Sequence, residues 1–401
     1  METRFALMAV ALMVGTAALA RPTEYEPQFH EVTMDVVTPH VQWGRPYYRG
    51  PIRGLMIAPR ACHRDTVELA QRLDLQFDQV GTYLRDQLGG GEDRVTRIVG
   101  LSPEDVKARM LEKLNARHEV IVVGNLHWKI LPQEVEYEIL RQVRSGVGLV
   151  LTYHQNGRNE HLERALEVAS EANDGGFIAH ALPLTALPAW GGFGSREEAA
   201  DALVDTRQFG EGRIVLLNLA GGSNHTYLAP PTGSEHAWKW EHPWPLEYYL
   251  MLTGRAVLWA AGMEPDALIA QLGIAGGDEL LELPAEAGAE LAMRLTADRP
   301  HEGLEVEVTL RGSNGSAVAS ESQRLKLSDG EAEARFALPE GLAVGRHFAE
   351  VIIRERGGCL TWGATSFVVR RPRALAEVSR AVEFVEPGGD AAFEAVLDGP
   401  A

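Results

Sequence analysis

The stretch VIVVGNLHWKILPQEVEYEILRQVRSGVGLVLTYHQNG, residues 120–157, decides the fold class. It opens on one short apolar run, Val120 to Val123, and closes on another, Val147 to Tyr153. Continuous runs of this kind suit strands buried on both faces. Between them, Pro132 to Val143 sets Val135, Ile139 and Val143 on one stripe of a helix.

The same alternation extends on both sides. Ile52 to Ala58, Leu75 to Val80 and Arg213 to Leu219 read as further buried strands. Ser102-Pro103-Glu104-Asp105 is an N-cap with proline at the first helical position and acids in the first turn, opening a helix to about Leu114. The apolar segment LEYYLMLTGRAVLWAA, residues 246–261, reads as a helix closing the domain against its sheet. A βαβα series implies an α/β fold with a doubly wound, mostly parallel sheet of flavodoxin-like type.

After Gly262 the period changes from helical spacing to alternation. LEVEVTL (304–310), EARFALP (333–339), HFAEVIIRE (347–355) and TSFVVRR (365–371) alternate apolar and polar residues between Gly, Asn and Asp turns. This is the pattern of an all-β sandwich of immunoglobulin-like size. From Val382 onward, VEFVEPGGDAAFEAVLDGPA reads as the start of a further β domain or as a tail. The expected organisation is a signal peptide at 1–20, an N-terminal extension at 21–50, an α/β domain at 51–265, a sandwich at 275–372 and a tail at 378–401.

The 401 residues carry 38 Lys and Arg against 56 Asp and Glu, a formal net charge of -18, with no basic run, so nucleic acid is not an expected partner. METRFALMAVALMVGTAALA places Arg4, an apolar run from Phe5 to Val14, and small residues at Ala18 and Ala20, as in a cleavable secretory signal. The run is short for a membrane span of about 20 residues, and an uncleaved anchor is the alternative. The expected location is periplasmic or extracellular, with no membrane span after cleavage. Cys62 and Cys359 fall in different domains, so no disulfide framework is expected.

Residues 120–157, followed by FGEGRIVLLNLAGG (209–222) and RAVLWAAG (255–262), resemble the class I glutamine amidotransferase-like superfamily. The closer likeness is to its non-amidotransferase branch, which includes the trimerisation domain of bacterial β-galactosidases. That branch has a strand of the type GGxLVxT, matched by Gly146 to Thr152, and one of the type YGxGRVVxL, matched by Phe209 to Leu217. The resemblance spans residues 50–262 and implies a flavodoxin-like sheet, a carbohydrate-processing or cell-surface context, and a possible homo-oligomer. True amidotransferases carry their nucleophile in a Gly-x-Cys-x-Gly elbow, and no such sequence occurs here. The resemblance therefore implies a pseudoenzyme, a module for binding or assembly.

In an open parallel sheet, ligands bind outside the strand carboxyl ends. Those ends supply Arg60, Cys62, His63 and Arg64, then Asn125, His127 and Trp128, then Tyr153, His154, Gln155 and Asn156, then Asn224 and His225. Trp238 and Trp240 lie in HAWKWEHPWPLEYY (236–249), whose rings suit either a sugar-gripping platform or a packed interface. Amides, imidazoles and aromatics of this kind fit a carbohydrate or protein partner better than phosphate.

Four loop histidines raise zinc, but the tight H-x-x-x-H spacing of many metal sites is absent, and neither metal nor cofactor is expected. Cys62 reads as a small packed thiol or as a relocated nucleophile at a helix N-terminus. Glu134, Glu136 and Glu138 read as a solvated helix face, so no acid pair for glycoside cleavage is assigned. The rival to a binding module is a secreted carbohydrate hydrolase, with its site at these strand ends or in a domain beyond residue 401.

Overall fold

The computed structural model describes residues 37, 39–59, 63–82, 103–124, 128–152, 158–174, 176–184, 204–217, 244, 246–276, 280–282, 289–328, 330–370, 374–380 and 393–398. The first body alternates β1 (Ile52–Pro59), α1 (His63–Arg72), β2 (Leu75–Thr82), α2 (Pro103–Leu114), β3 (Val120–Gly124), α3 (Gln133–Arg144), β4 (Gly148–Thr152) and α4 (Glu160–Val168). It continues through β5 (Ser170–Glu171), β6 (Val204–Phe209) and β7 (Gly212–Leu217), and ends in α5 (Leu246–Ala260).

Seven strands form one sheet in the order β2-β1-β3-β4-β7-β6-β5. The pairs from β2 through β7 are parallel. The sheet is mixed: at one edge β6 turns back antiparallel on β7, and β5 pairs antiparallel with β6. Gly210 has a positive φ of 64° in the tight turn joining β6 to β7, which makes an antiparallel partner easy to form.

Alternation along each parallel strand separates two layers. Leu55, Ile57, Ile121, Val123, Leu149, Leu151, Ile214 and Leu216 pack with residues of α2, α3 and α4. Met56, Val122, Val150 and Val215 face the other way, against α1 and α5. Helices thus cover both faces, which is why the strands are apolar without a polar side.

The second body is a sandwich of two antiparallel-paired sheets. One is β13-β10-β8, from Glu331–Ala337, Glu290–Ala297 and Ala267–Ile274. The other is β12-β11-β14-β15-β9, from Ala317–Leu327, His301–Gly312, Gly345–Glu355, Gly358–Arg370 and Leu280–Glu282, with β9 added parallel to β15. The sandwich begins at Ala267, ahead of the expected residue 275, because β8 pairs along β10. A separate hairpin, β16 (Ala374–Arg380) with β17 (Phe393–Asp398), follows.

The two bodies share a core. Phe348, Ile352, Trp362 and Ala364 on the outer face of β14 and β15 join the same apolar cluster as Tyr248, Leu252 and Ala256 of α5. Val41, Trp43 and Tyr47, from the expected N-terminal extension, are buried in that cluster. Backbone bonds stitch the seam: Tyr48 N–H donates to Cys359 O, Cys359 N–H to Pro46 O, and Ala364 N–H to Ala181 O. Arg255, 3% exposed, donates to the carbonyls of Phe177, His180 and Trp362, tying both bodies to one helix side chain.

Candidate functional site

Strands β1, β3, β4 and β7 run parallel and end at Pro59, Gly124, Thr152 and Leu217, so their carboxyl ends share one rim. The turns that follow, 60–62, 125–127, 153–157 and 218–243, lie outside the described residues. Arg60, Cys62, Asn125, His127, Tyr153, His154, Gln155, Asn156, Asn224, His225, Trp238 and Trp240 therefore fall outside them. His63 is the first residue of α1. Trp128 is described: it is 3% exposed and packs with the apolar layer of α3 and α4.

The rim between β3 and β4 carries an arrangement that sequence reasoning missed. α3 and α4 both begin on this rim, and Glu136 in the first turn of α3 is 3% exposed rather than solvated. Its carboxylate accepts both oxygens' worth of contact from Asn159 Nδ2, at 2.8 and 2.9 Å, and lies 3.1 Å from His161 Nδ1. Asn159 in turn caps α4 by accepting from Leu162 N–H at 3.0 Å. A carboxylate held on Nδ1 orients the imidazole and leaves Nε2 on its outward side, 4.0 Å from Glu160 Oε1. His161, with its side chain 44% exposed, keeps that nitrogen near water.

On the opposite layer, an ionic chain, buried at Glu68, Arg72 and Glu247, crosses from α1 to α5. Arg64 Nε donates to Glu68 at 2.6 Å, Arg72 Nη1 donates to Glu68 at 2.6 Å, and Arg72 Nε donates to Glu247 at 2.9 Å. Trp43 Nε1 adds a contact to Glu247 at 3.4 Å. Burial opposes the Arg72 charge, but Glu247 and Glu68 outweigh it and hold its pKa above the usual value. The thiol of Cys359, fully buried in β15, is pushed up to about 12 by burial, so it stays protonated near neutrality.

At the other end of the sheet, a groove of roughly 480 Å³ is lined by Phe177, Gln208, Arg213, Trp259 and Glu264, among others. Arg213 lies over the Trp259 ring at 4.9 Å and donates to Glu264 at 2.7 Å, so its charge is spent within the protein. Among the described residues no three metal-ligating side chains gather. No helix among them is long and apolar enough to cross a membrane.

Fold and site together define a two-body protein, an α/β sheet domain fused to a β-sandwich, with a polar rim at the strand carboxyl ends. No protein-family model matches the chain, and no curated protein matches it in sequence. Among solved structures, the C-terminal domain of wzt aligns at 14% identity over 27% of this chain and 75% of its own, with a TM-score of 0.23. The β-glucuronidase of Parabacteroides merdae aligns at 12% identity over 28% of this chain and 15% of its own, with a TM-score of 0.22. That of Bifidobacterium dentium, complexed with coumarin-3-O-glucuronide, aligns at 20% identity over 34% and 20%, with a TM-score of 0.21.

Proposed function

We propose that the protein is an exported, non-catalytic, amidotransferase-like module of flavodoxin-like, doubly wound type, joined to an immunoglobulin-like sandwich and used for binding or assembly in a carbohydrate or cell-surface context. The parallel order β2-β1-β3-β4-β7 carries this reading. It is the order in which strand connections diverge between β1 and β3 and leave a crevice at their carboxyl ends. Arg60, His63, Asn125 and His127 follow those two strands in the chain. The absence of a Gly-x-Cys-x-Gly elbow supports a role without glutaminase chemistry.

The test is incubation of the secreted chain with insoluble polysaccharides, following retention and released sugars together. Retention without products, weakened by Trp238→Ala or Trp240→Ala, is the expected result. Absence of both retention and products would count against carbohydrate and leave assembly, for which light scattering would report an oligomer.

The Glu136–His161 pair favours a second reading, a secreted hydrolase whose histidine acts as a general base at the same rim. It predicts released products that disappear in His161→Gln while retention persists.

A further inference from the structure

The groove beside Arg213 has walls from both bodies. One wall is β5, the turn after it and Gln208 of β6; the other is Trp259 near the end of α5, Glu264, and Leu268 near the start of β8. Arg213 stands at the amino end of β7, so the groove lies at the end of the sheet opposite the strand carboxyl ends. Its walls are tied in place. Asp174 shapes the turn by accepting from Gly176 N–H at 2.9 Å and from Ile178 N–H at 3.0 Å. Ala172 N–H donates to Thr206 O at 3.0 Å, and Thr206 Oγ1 donates back to Ala172 O at 2.7 Å. Arg255 holds the Phe177 carbonyl, and His180 Nε2 lies 2.9 Å from the Ala270 carbonyl oxygen of β8. Segments so anchored make a preformed cavity, and roughly 480 Å³ falls within the range of about 300–1,000 Å³ usual for small-molecule sites.

The polar groups on these walls are mostly acceptors. Gln208 Nε2 donates to the carbonyls of Gly210 and Gly212, both at 3.0 Å, which leaves its Oε1 to accept. Each Asp174 oxygen takes one backbone N–H and has room for a second donor. Among the described lining residues the one cation is Arg213, whose Nη1 is taken by Glu264 and by the Trp259 carbonyl. Arg207, opposite Glu171 across the strand pair, is committed to Asp205. Glu171 and Asp174 therefore leave the groove with surplus negative charge, while Phe177, Trp259 and Leu268 give it apolar surface.

We propose that this groove binds a neutral oligosaccharide and rejects uronic acids. Sugar hydroxyls supply the donors that the walls lack, and the C–H faces of the rings suit the apolar surface. A carboxylate on the sugar meets Glu171 and Asp174 without a cation to receive it. The assignment rests on the carbohydrate reading above, but it puts the sugar at the seam of the two bodies rather than on the rim.

Titration of the full chain, followed by amide chemical shifts, tests it with neutral tetrasaccharides (cellotetraose, maltotetraose, xylotetraose and mannotetraose) and with the acidic tetragalacturonate. At least one neutral sugar should move the signals of Ala172, Asn173, Gln208 and Leu268 saturably, and tetragalacturonate should bind more weakly by about tenfold or more. Leu268→Trp, which fills the groove, should weaken the neutral sugar by about tenfold, with unchanged signals from Val122 and Val306 reporting that both bodies are folded. Glu171→Gln keeps an acceptor and removes the charge, and should narrow the preference over tetragalacturonate by about threefold. This variant decides the matter if Leu268→Trp does not fold. Equal binding of tetragalacturonate, unchanged affinity in folded Leu268→Trp, or unchanged selectivity in Glu171→Gln would each overturn the proposal. Shifts at Gly124 and Thr152 by the rim, with none in the groove, would overturn this site and leave the binding role standing. Saturation by no sugar at all would overturn the site and the carbohydrate reading together.

Discussion

Glu136 and Glu350 are both carboxylates that the chain buries, and their surroundings set them to different tasks. Glu136 is surrounded by donors from one neighbouring helix, so truncation leaves Asn159 and the His161 ring without their acceptor. Glu136→Ala should lower stability by about 1–3 kcal/mol in thermal or urea unfolding, and Glu136→Gln by less, since an amide oxygen still accepts. Glu350 links its charge to stability. Its folded pKa, about 7, lies above its ordinary 4.5, so the folded protein binds the proton more tightly than the unfolded chain. The stabilisation this brings is complete below pH 4.5 and is lost as pH rises through about 7. Urea unfolding at about pH 5 and about pH 8 should show the wild type losing stability relative to Glu350→Gln at the higher pH; parallel curves would contradict this. Arg255 is a buried charge of another kind, held by carbonyls. Truncating it to Ala should cost about 2–5 kcal/mol, as for other large buried side chains, because three carbonyls lose their donor and a cavity opens beside Phe177 and Trp362.

Among the elements, the two glycine-bearing motifs of the sequence acquire a physical meaning. A Cβ on Gly148 would lie 2.3 Å from the carbonyl oxygen of Ala260, so the first residue of β4 must be glycine for the end of α5 to approach. A Cβ on Gly212 would lie 2.0 Å from the Val143 carbonyl oxygen, where the end of α3 meets the start of β7. Gly148→Ala and Gly212→Ala should each lower the urea midpoint by the equivalent of about 1–3 kcal/mol without changing the slope, through forced backbone shifts. The parallel strands and the helices at 103–114, 133–144 and 246–260 were legible because a continuous apolar run and a 3.6-residue stripe are local signals. α1 was read only as a helix N-terminus beside Cys62 and α4 not at all, although HRDTVELAQR and EHLERALEV both carry amphipathic spacing. Strand β12 escaped notice because, as an edge strand, it is exposed along most of its length and carries little apolar alternation.

For the whole molecule, the shared apolar cluster and Arg255 make the α/β body and the sandwich one mechanical unit. Scanning calorimetry should therefore show one cooperative transition rather than two, since neither body can unfold without exposing the outer face of β14 and β15 or the face of α5. Two resolved transitions would mean that the seam contributes little to either fold.

What the sequence determined by itself was the class of each body and their order along the chain, because strand and helix periods are written over a few neighbouring residues. The rim where strands end was legible too, as a place, since parallel strands must end together. The tertiary structure decided which polar residues went inside. Glu136 belongs to a helix whose other acids, exposed Glu134 and half-buried Glu138, look the same in sequence, and the approach of α4 buries it. In β14, HFAEVIIRE alternates as a half-exposed strand would, yet it is buried on both faces because α5 from the other body covers its outer side. Burial of that kind depends on residues far apart in the chain, such as Tyr248 and Glu350, 102 positions apart, and no local pattern encodes such a meeting.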